Sequence, residues 1–155
     1  MTDKTPAPAG SQRLVTFFVV QEAAKAITFY EEVFGARTLD RFDLPDGTVS
    51  HAELELGGSR FQLSDPIDVP GLHHPLKDGN VFTMTFWTPD PDGVFAKAVA
   101  GGATVMSEVA DVFSGDRMGV IRCPYGIRWC IARHDRDVPP EEIAAAAQAW
   151  MEENA

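Results

Sequence analysis

Two short runs, Gly35-Ala36-Arg37-Thr38 and Gly102-Ala103-Thr104-Val105, stand 67 residues apart in a chain of 155, each between a helix-like segment and a strand-like one. The order of elements around them repeats as well. Self-similarity at a fixed offset constrains a fold more than any local propensity, because each repeat must be one supersecondary unit and the two must share one plan. In the first repeat, Leu14 to Val20 (LVTFFVV) is β-branched and aromatic, as in a strand with apolar residues on both faces. Ala23, Ala26, Ile27, Tyr30, Val33 and Phe34 then draw one apolar stripe at helical spacing, and Gly35 stands where a left-handed cap belongs. Three strand-like runs follow, Arg37 to Phe42, Val49 to Leu56 and Arg60 to Ser64, punctuated by Pro45-Asp46-Gly47 and Gly57-Gly58.

The second repeat keeps the βαβββ order. Val81 to Thr88 reads as a strand, Asp90 caps a helix that starts at Pro91, and Phe95, Ala98 and Val99 form its apolar side. Gly101-Gly102 ends it, and Thr104 to Glu108, Met118 to Arg122 and Ile127 to Ala132 supply three strands, the last two joined at Pro124-Tyr125-Gly126. The expected class is α+β, with modules at 13–65 and 81–134 inside a domain spanning 13–137. Residues 1–12 lack periodicity and read as a disordered tail. In the segment 138–155, Ile143, Ala147, Trp150 and Met151 share one side of a C-terminal helix that the pattern expects to be docked.

Charge narrows the partners. Thirteen Lys and Arg against 23 Asp and Glu leave −10, a field that repels nucleic-acid backbones and anionic lipid. No apolar run nears the roughly 20 residues of a membrane helix, and the first residues lack an apolar signal core, so the expectation is a cytoplasmic protein with neither nucleic acid nor membrane as partner. Cys123 and Cys130, six residues between them, match no metal-knuckle spacing and read as reduced thiols.

Strand alternation sorts the polar residues. A helix covering one face of each sheet takes Ala52, Leu54 and Leu56, which leaves His51, Glu53 and Glu55 on the other. The same parity places Gln62, then Arg128, Cys130 and Ala132, and in the fifth strand Thr83, Thr85 and Trp87, on the uncovered side. Val15, Phe17 and Val19 there, with Trp87, are too apolar to be left wet without a partner or ligand. These faces are therefore expected to wall a concave groove for a small molecule.

The stretches AITFYEEVFGA, PDGTVSHAELELGGSRFQLSD, DPDGVFAKAVAGGATV and FSGDRMGVIRCPYGIRWCIA, in that order between Leu14 and Arg133, resemble the vicinal oxygen chelate superfamily of glyoxalase, bleomycin-resistance and dioxygenase proteins, and more closely its PhnB-like branch. The resemblance implies that the paired modules form a cupped, partly open β-barrel-like sheet. It also implies, for metal-dependent members, four ligand positions that fall here on Val15, Gln62, Thr83 and Cys130. Val15 offers no donor, Thr83 a weak one and Gln62 a neutral carbonyl, so no metal site is expected there and no cofactor. A divalent ion at His51, Glu53 and Glu55 is the alternative, although residues two apart on one strand lie about 7 Å from each other, too far for all three to reach one ion unaided. His73-His74 reads as a loop pair.

Two functions follow from the resemblance. The first is a protein that binds a small aromatic or amphipathic metabolite, with Val15, Phe17, Gln62, Thr83, Thr85, Trp87, Arg117 and Cys130 as ligand-binding residues. The second is a metal-dependent lyase or isomerase, glyoxalase- or epimerase-like, in which His51 and Glu53 are catalytic. A homodimer is expected in either case, because open curved sheets leave edges and apolar faces to cover.

Overall fold

The computed structural model describes residues 12, 14–67 and 82–154; His73 and His74 lie outside them. The chain divides into two compact units, one of residues 1–81 with Pro124–Ile127 and one of Phe82–Cys123 with Arg128–Ala155. Each is an α+β arrangement with the expected βαβββ order.

The first unit runs β1 (Thr16–Val19), α1 (Ala23–Phe34), β2 (Arg37–Asp43), β3 (Val49–Leu56) and β4 (Ser59–Ser64). Its sheet has the order β1-β4-β3-β2, with β1 parallel to β4 and the other pairs antiparallel. α1 forms where the stripe predicted it, with Ala23, Ala26, Ile27, Tyr30, Val33 and Phe34 buried, and Gly35 closes it at φ 75°. Only a residue without Cβ takes that left-handed conformation freely. Against the stripe lie Phe18, Leu54, Phe61 and Leu63, all buried, with Phe18 and Phe61 stacked at 5.5 Å. Tyr125 completes this core from the turn after the seventh strand, its ring 5.9 Å from Phe29.

Residue 22 is the unusual point. Glu22 precedes α1 in the left-handed region at φ 56° and provides no side-chain cap. Asp65, just past β4, does so instead: its Oδ1 accepts from the Ala23 amide at 2.8 Å and its Oδ2 from the Val49 amide at 2.8 Å. One carboxylate thus ties the helix start, the start of β3 and the end of β4 together.

The second unit runs β5 (Met84–Trp87), α2 (Pro91–Ala100), β6 (Thr104–Asp111), β7 (Asp116–Arg122), β8 (Arg128–His134) and α3 (Pro140–Glu153), with sheet order β5-β8-β7-β6. Here the helix caps itself, Asp90 accepting from the Gly93 amide at 3.0 Å with Pro91 next in line, as the sequence indicated. Phe95 and Ala98 are buried on its covered side; Val99, expected with them, is 40% exposed. Gly119 sits under Phe95, where a Cβ would come within 2.8 Å of that ring.

Three boundaries differ from the sequence reading. β5 spans Met84–Trp87 where the sequence pattern runs from Val81 to Thr88; Val81 lies outside the described residues, and Phe82, Thr83 and Thr88 have no register partner on β8. β6 runs on to Asp111 through two register shifts, which strand periodicity does not signal. α3 forms; Ile143 and Ala147 are half-buried and Trp150 is 56% exposed, so the described residues of its apolar side are only partly covered. Its first turn is Pro-Glu-Glu and its middle is alanine, so propensity suffices to form it while too little apolar bulk remains to bury. No described helix is long and apolar enough to cross a membrane.

Candidate functional site

The face of the first sheet away from α1 carries the residues that parity assigned to it. β3 and β4 set Glu53 opposite Gln62 and Glu55 opposite Arg60, and β1 sets Phe17 beside Gln62. Glu53 is fully engaged: Oε1 accepts from Arg60 Nη1 at 3.0 Å and Oε2 from Gln62 Nε2 at 2.9 Å, and its side chain is largely covered. Glu55 pairs with Arg37 at 3.2 Å.

His51 is in a different position. Its ring lies 6.0 Å from Phe17 and 6.2 Å from Phe42, tilted 31° and 39° to them, so two phenyl rings flank one imidazole. Phe17 is 37% exposed and Phe42 57%. Neither ring nitrogen of His51 has a hydrogen-bond partner among the described residues. Phe42 is held by the backbone: it faces His51 in the register, and the Ser50 hydroxyl donates to its carbonyl at 2.8 Å. Sequence reasoning missed Phe42 and Arg60. Both follow from carrying the parity argument across to β2 and β4, the strands next to β3.

On the second sheet the uncovered face carries Thr85 beside Cys130 and Trp87 beside Ala132. Cys130 is buried, and that burial pushes its thiol above the usual range, so it is a protonated, unreactive group at neutral pH. Thr83 accepts from Arg128 Nη1 at 3.1 Å. Trp87 is 55% exposed and, with Thr88, Pro89, Arg133 and His134, lines an open hollow of about 360 Å³. His134, which the sequence reading passed over, lies two residues beyond Ala132 in the same parity. Its Nδ1 meets Asp116 at 2.7 Å and its Nε2 meets Asp137 at 2.9 Å, which raises its pKa.

Arg117 stands apart from this set. It projects toward α2, where it forms a bidentate pair with Asp92 at 2.6 and 2.8 Å and a third bond to Asp111 at 2.9 Å. The odd parity of Arg117 against Met118 puts it on the helix-covered face of β7, and its donors are spent on fixing α2 and β6.

The four positions implied for a metal divide between the units, Val15 and Gln62 in the first, Thr83 and Cys130 in the second. Their chemistry does not suit a divalent cation: an alkyl group, an amide committed to Glu53, a hydroxyl committed to Arg128 and a protonated buried thiol. Among the described residues no three His, Cys, Asp or Glu side chains are arranged to hold a metal ion. Beside His51, both oxygens of Glu53 already accept a hydrogen bond, one from Arg60 and one from Gln62.

Duplicated βαβββ units with these uncovered faces define a protein of the vicinal oxygen chelate class. The Glyoxalase/Bleomycin resistance protein/Dioxygenase superfamily matches residues 13–131, and the chain belongs to that family. The chain is 37% identical over 134 residues to the uncharacterized protein Rv0887c of Mycobacterium tuberculosis, covering 83% of this chain and 78% of that one. It resembles the X-ray structure of the Arabidopsis thaliana At5g48480 product at 30% identity and TM-score 0.65, over 78% of this chain and 98% of that one. TioX from Micromonospora sp. ML1 is similar at 26% identity and TM-score 0.62, over 78% and 97%.

Proposed function

We propose that the protein binds a small aromatic or amphipathic metabolite on the uncovered face of its first sheet, without a divalent metal. The observation that carries this reading is His51: an imidazole with both nitrogens unengaged among the described residues, set between two partly exposed phenyl rings. A flat ligand gains ring contact from Phe17 and Phe42 and one directional hydrogen bond from His51, which is the usual economy of a small-molecule site. Acid–base catalysis by His51 with Glu53 has less support, because both Glu53 oxygens are already hydrogen-bonded. The proposal extends to a homodimer acting in the cytoplasm, with the partly exposed apolar side of α3 as the surface that a second copy would cover.

Titration with 2-naphthol, followed by backbone amide NMR, tests the site. Saturable shifts are expected at Phe17, Phe42 and His51, and Phe42→Ala should weaken binding about tenfold, the value of one lost ring contact of about 1–1.5 kcal/mol. Shifts that do not saturate, or that Phe42→Ala leaves unchanged, refute it. Elemental analysis tests the metal-free part: one ion per chain retained through dialysis against a chelator overturns it.

A further inference from the structure

The two sheets share a frame, so each position in one has a counterpart in the other. Ala52 pairs with Leu63 in the first and Gly119 with Ile131 in the second. In that frame Glu53 opposite Gln62 corresponds to Val120 opposite Cys130, and Glu55 opposite Arg60 to Arg122 opposite Arg128. The first copy therefore surrounds its arginine with two carboxylates. The second copy replaces both, one by an apolar residue and one by another arginine.

Arg122 and Arg128 are register partners on β7 and β8, a pairing in which like charges are unfavourable. Among the described residues neither Arg122 nor Arg128 has a carboxylate partner, although the other ion pairs of this chain show carboxylates to be plentiful. Arg122 Nε is buried with no hydrogen-bond partner, a donor that costs free energy unless something occupies it. Arg128 reaches only the Thr83 hydroxyl, at 3.1 Å. Arginine is always protonated, so the site cannot relieve the repulsion by losing a proton.

We propose that Arg122, Arg128 and Thr83 form an anion-recognition site that takes the oxyanion of a small molecule, a carboxylate or a phosphate group. Two guanidiniums on register-partner positions supply the forked donors that such groups accept, and the Thr83 hydroxyl can turn to donate a further bond. The net charge of −10 opposes an anion at long range, but at physiological salt this acts only over about 8 Å, and within the site the guanidiniums dominate. The site belongs to the second unit alone and stands without the aromatic slot on the first.

The test measures binding of acetate and of inorganic phosphate at constant ionic strength, by calorimetry and by thermal shift, in the wild type and in Arg122→Gln and Arg128→Gln. Saturable binding of at least one probe is expected, weakened about tenfold or more by each substitution. The preferred probe tells a planar oxyanion from a tetrahedral one. In the absence of probe, each variant should melt no lower than the wild type, since each relieves the like-charge pair; this distinguishes lost binding from lost folding. Binding of neither probe, or equal binding by both variants and the wild type, overturns the proposal. Neither probe carries a ring, so the aromatic slot contributes nothing to the signal, and failure of that slot and failure of this site are read separately.

Discussion

Asp65 gives the sharpest handle on how the first unit holds together. Replacing it with Ala removes two hydrogen bonds at 2.8 Å from a partly buried carboxylate, one to the first amide of α1 and one to Val49. Hydrogen bonds to a charged group contribute about 1.5–3 kcal/mol each, and a negative charge at a helix start adds about 0.3–1 kcal/mol. Partial solvent access favours the lower values, so the expected loss is about 3 kcal/mol. With a urea slope of about 2 kcal/mol per molar, the unfolding midpoint should fall by about 1.5 M. Asp65→Asn should recover less than half, because its amide keeps one acceptor and turns N–H groups toward the other backbone N–H. Asp90→Ala is the internal control: it removes one exposed bond to Gly93 and should cost about 1 kcal/mol. Circular dichroism during urea titration measures all three. A midpoint shift for Asp65→Ala no larger than that for Asp90→Ala would show that the cross-tie contributes nothing beyond an ordinary cap.

Two further outcomes are expected. Because Asp116 and Asp137 raise the pKa of His134 above its ordinary value near 6.5, its stabilising contribution is fully present below that value and is lost as pH rises through the folded pKa; NMR titration should find this pKa elevated and Asp116→Asn should return it toward 6.5, and an unchanged value in the variant contradicts the assignment. Light scattering at micromolar concentration should give the mass of two chains, reduced toward one by Trp150→Glu and favoured by added salt, since two −10 chains repel; a one-chain mass that does not change on concentration argues against the dimer.

The fold was legible because it is written twice. The helix stripe from Ala23 to Phe34, the Gly35 cap and the polar alternation of His51, Glu53 and Glu55 each depend on local periodicity, which a sequence displays directly. What escaped the reading depends on pairing between strands. Phe42 reaches His51 only through the β2–β3 register, and Arg60 reaches Glu53 only diagonally across β3 and β4. Arg117 reads from the sequence as a ligand-binding residue, whereas its parity on β7 sends it to Asp92. The partial exposure of α3 was hidden for another reason: apolar spacing shows that a helix has a side to bury but not that the chain has somewhere to bury it.

The differences between the copies say more about chemistry than their likeness does. α1 begins at a residue with no cap of its own and so needs a carboxylate from the end of β4, which commits Asp65 to structure. α2 begins at Asp90, which satisfies its own first turn, and the counterpart of Asp65 is then Arg133, bound to Asp135 and bordering the Trp87 hollow. A local cap in the second copy releases the strand end from holding a helix, just as the loss of two carboxylates leaves Arg128 without the ion pair that its counterpart Arg60 makes with Glu53. Positions relieved of a structural duty are where one repeat can acquire binding chemistry without unfolding. Among the described residues the first copy leaves the ring nitrogens of His51 unengaged, and the second leaves Arg122 and Arg128 without a carboxylate, so the two copies have diverged in the chemistry each presents.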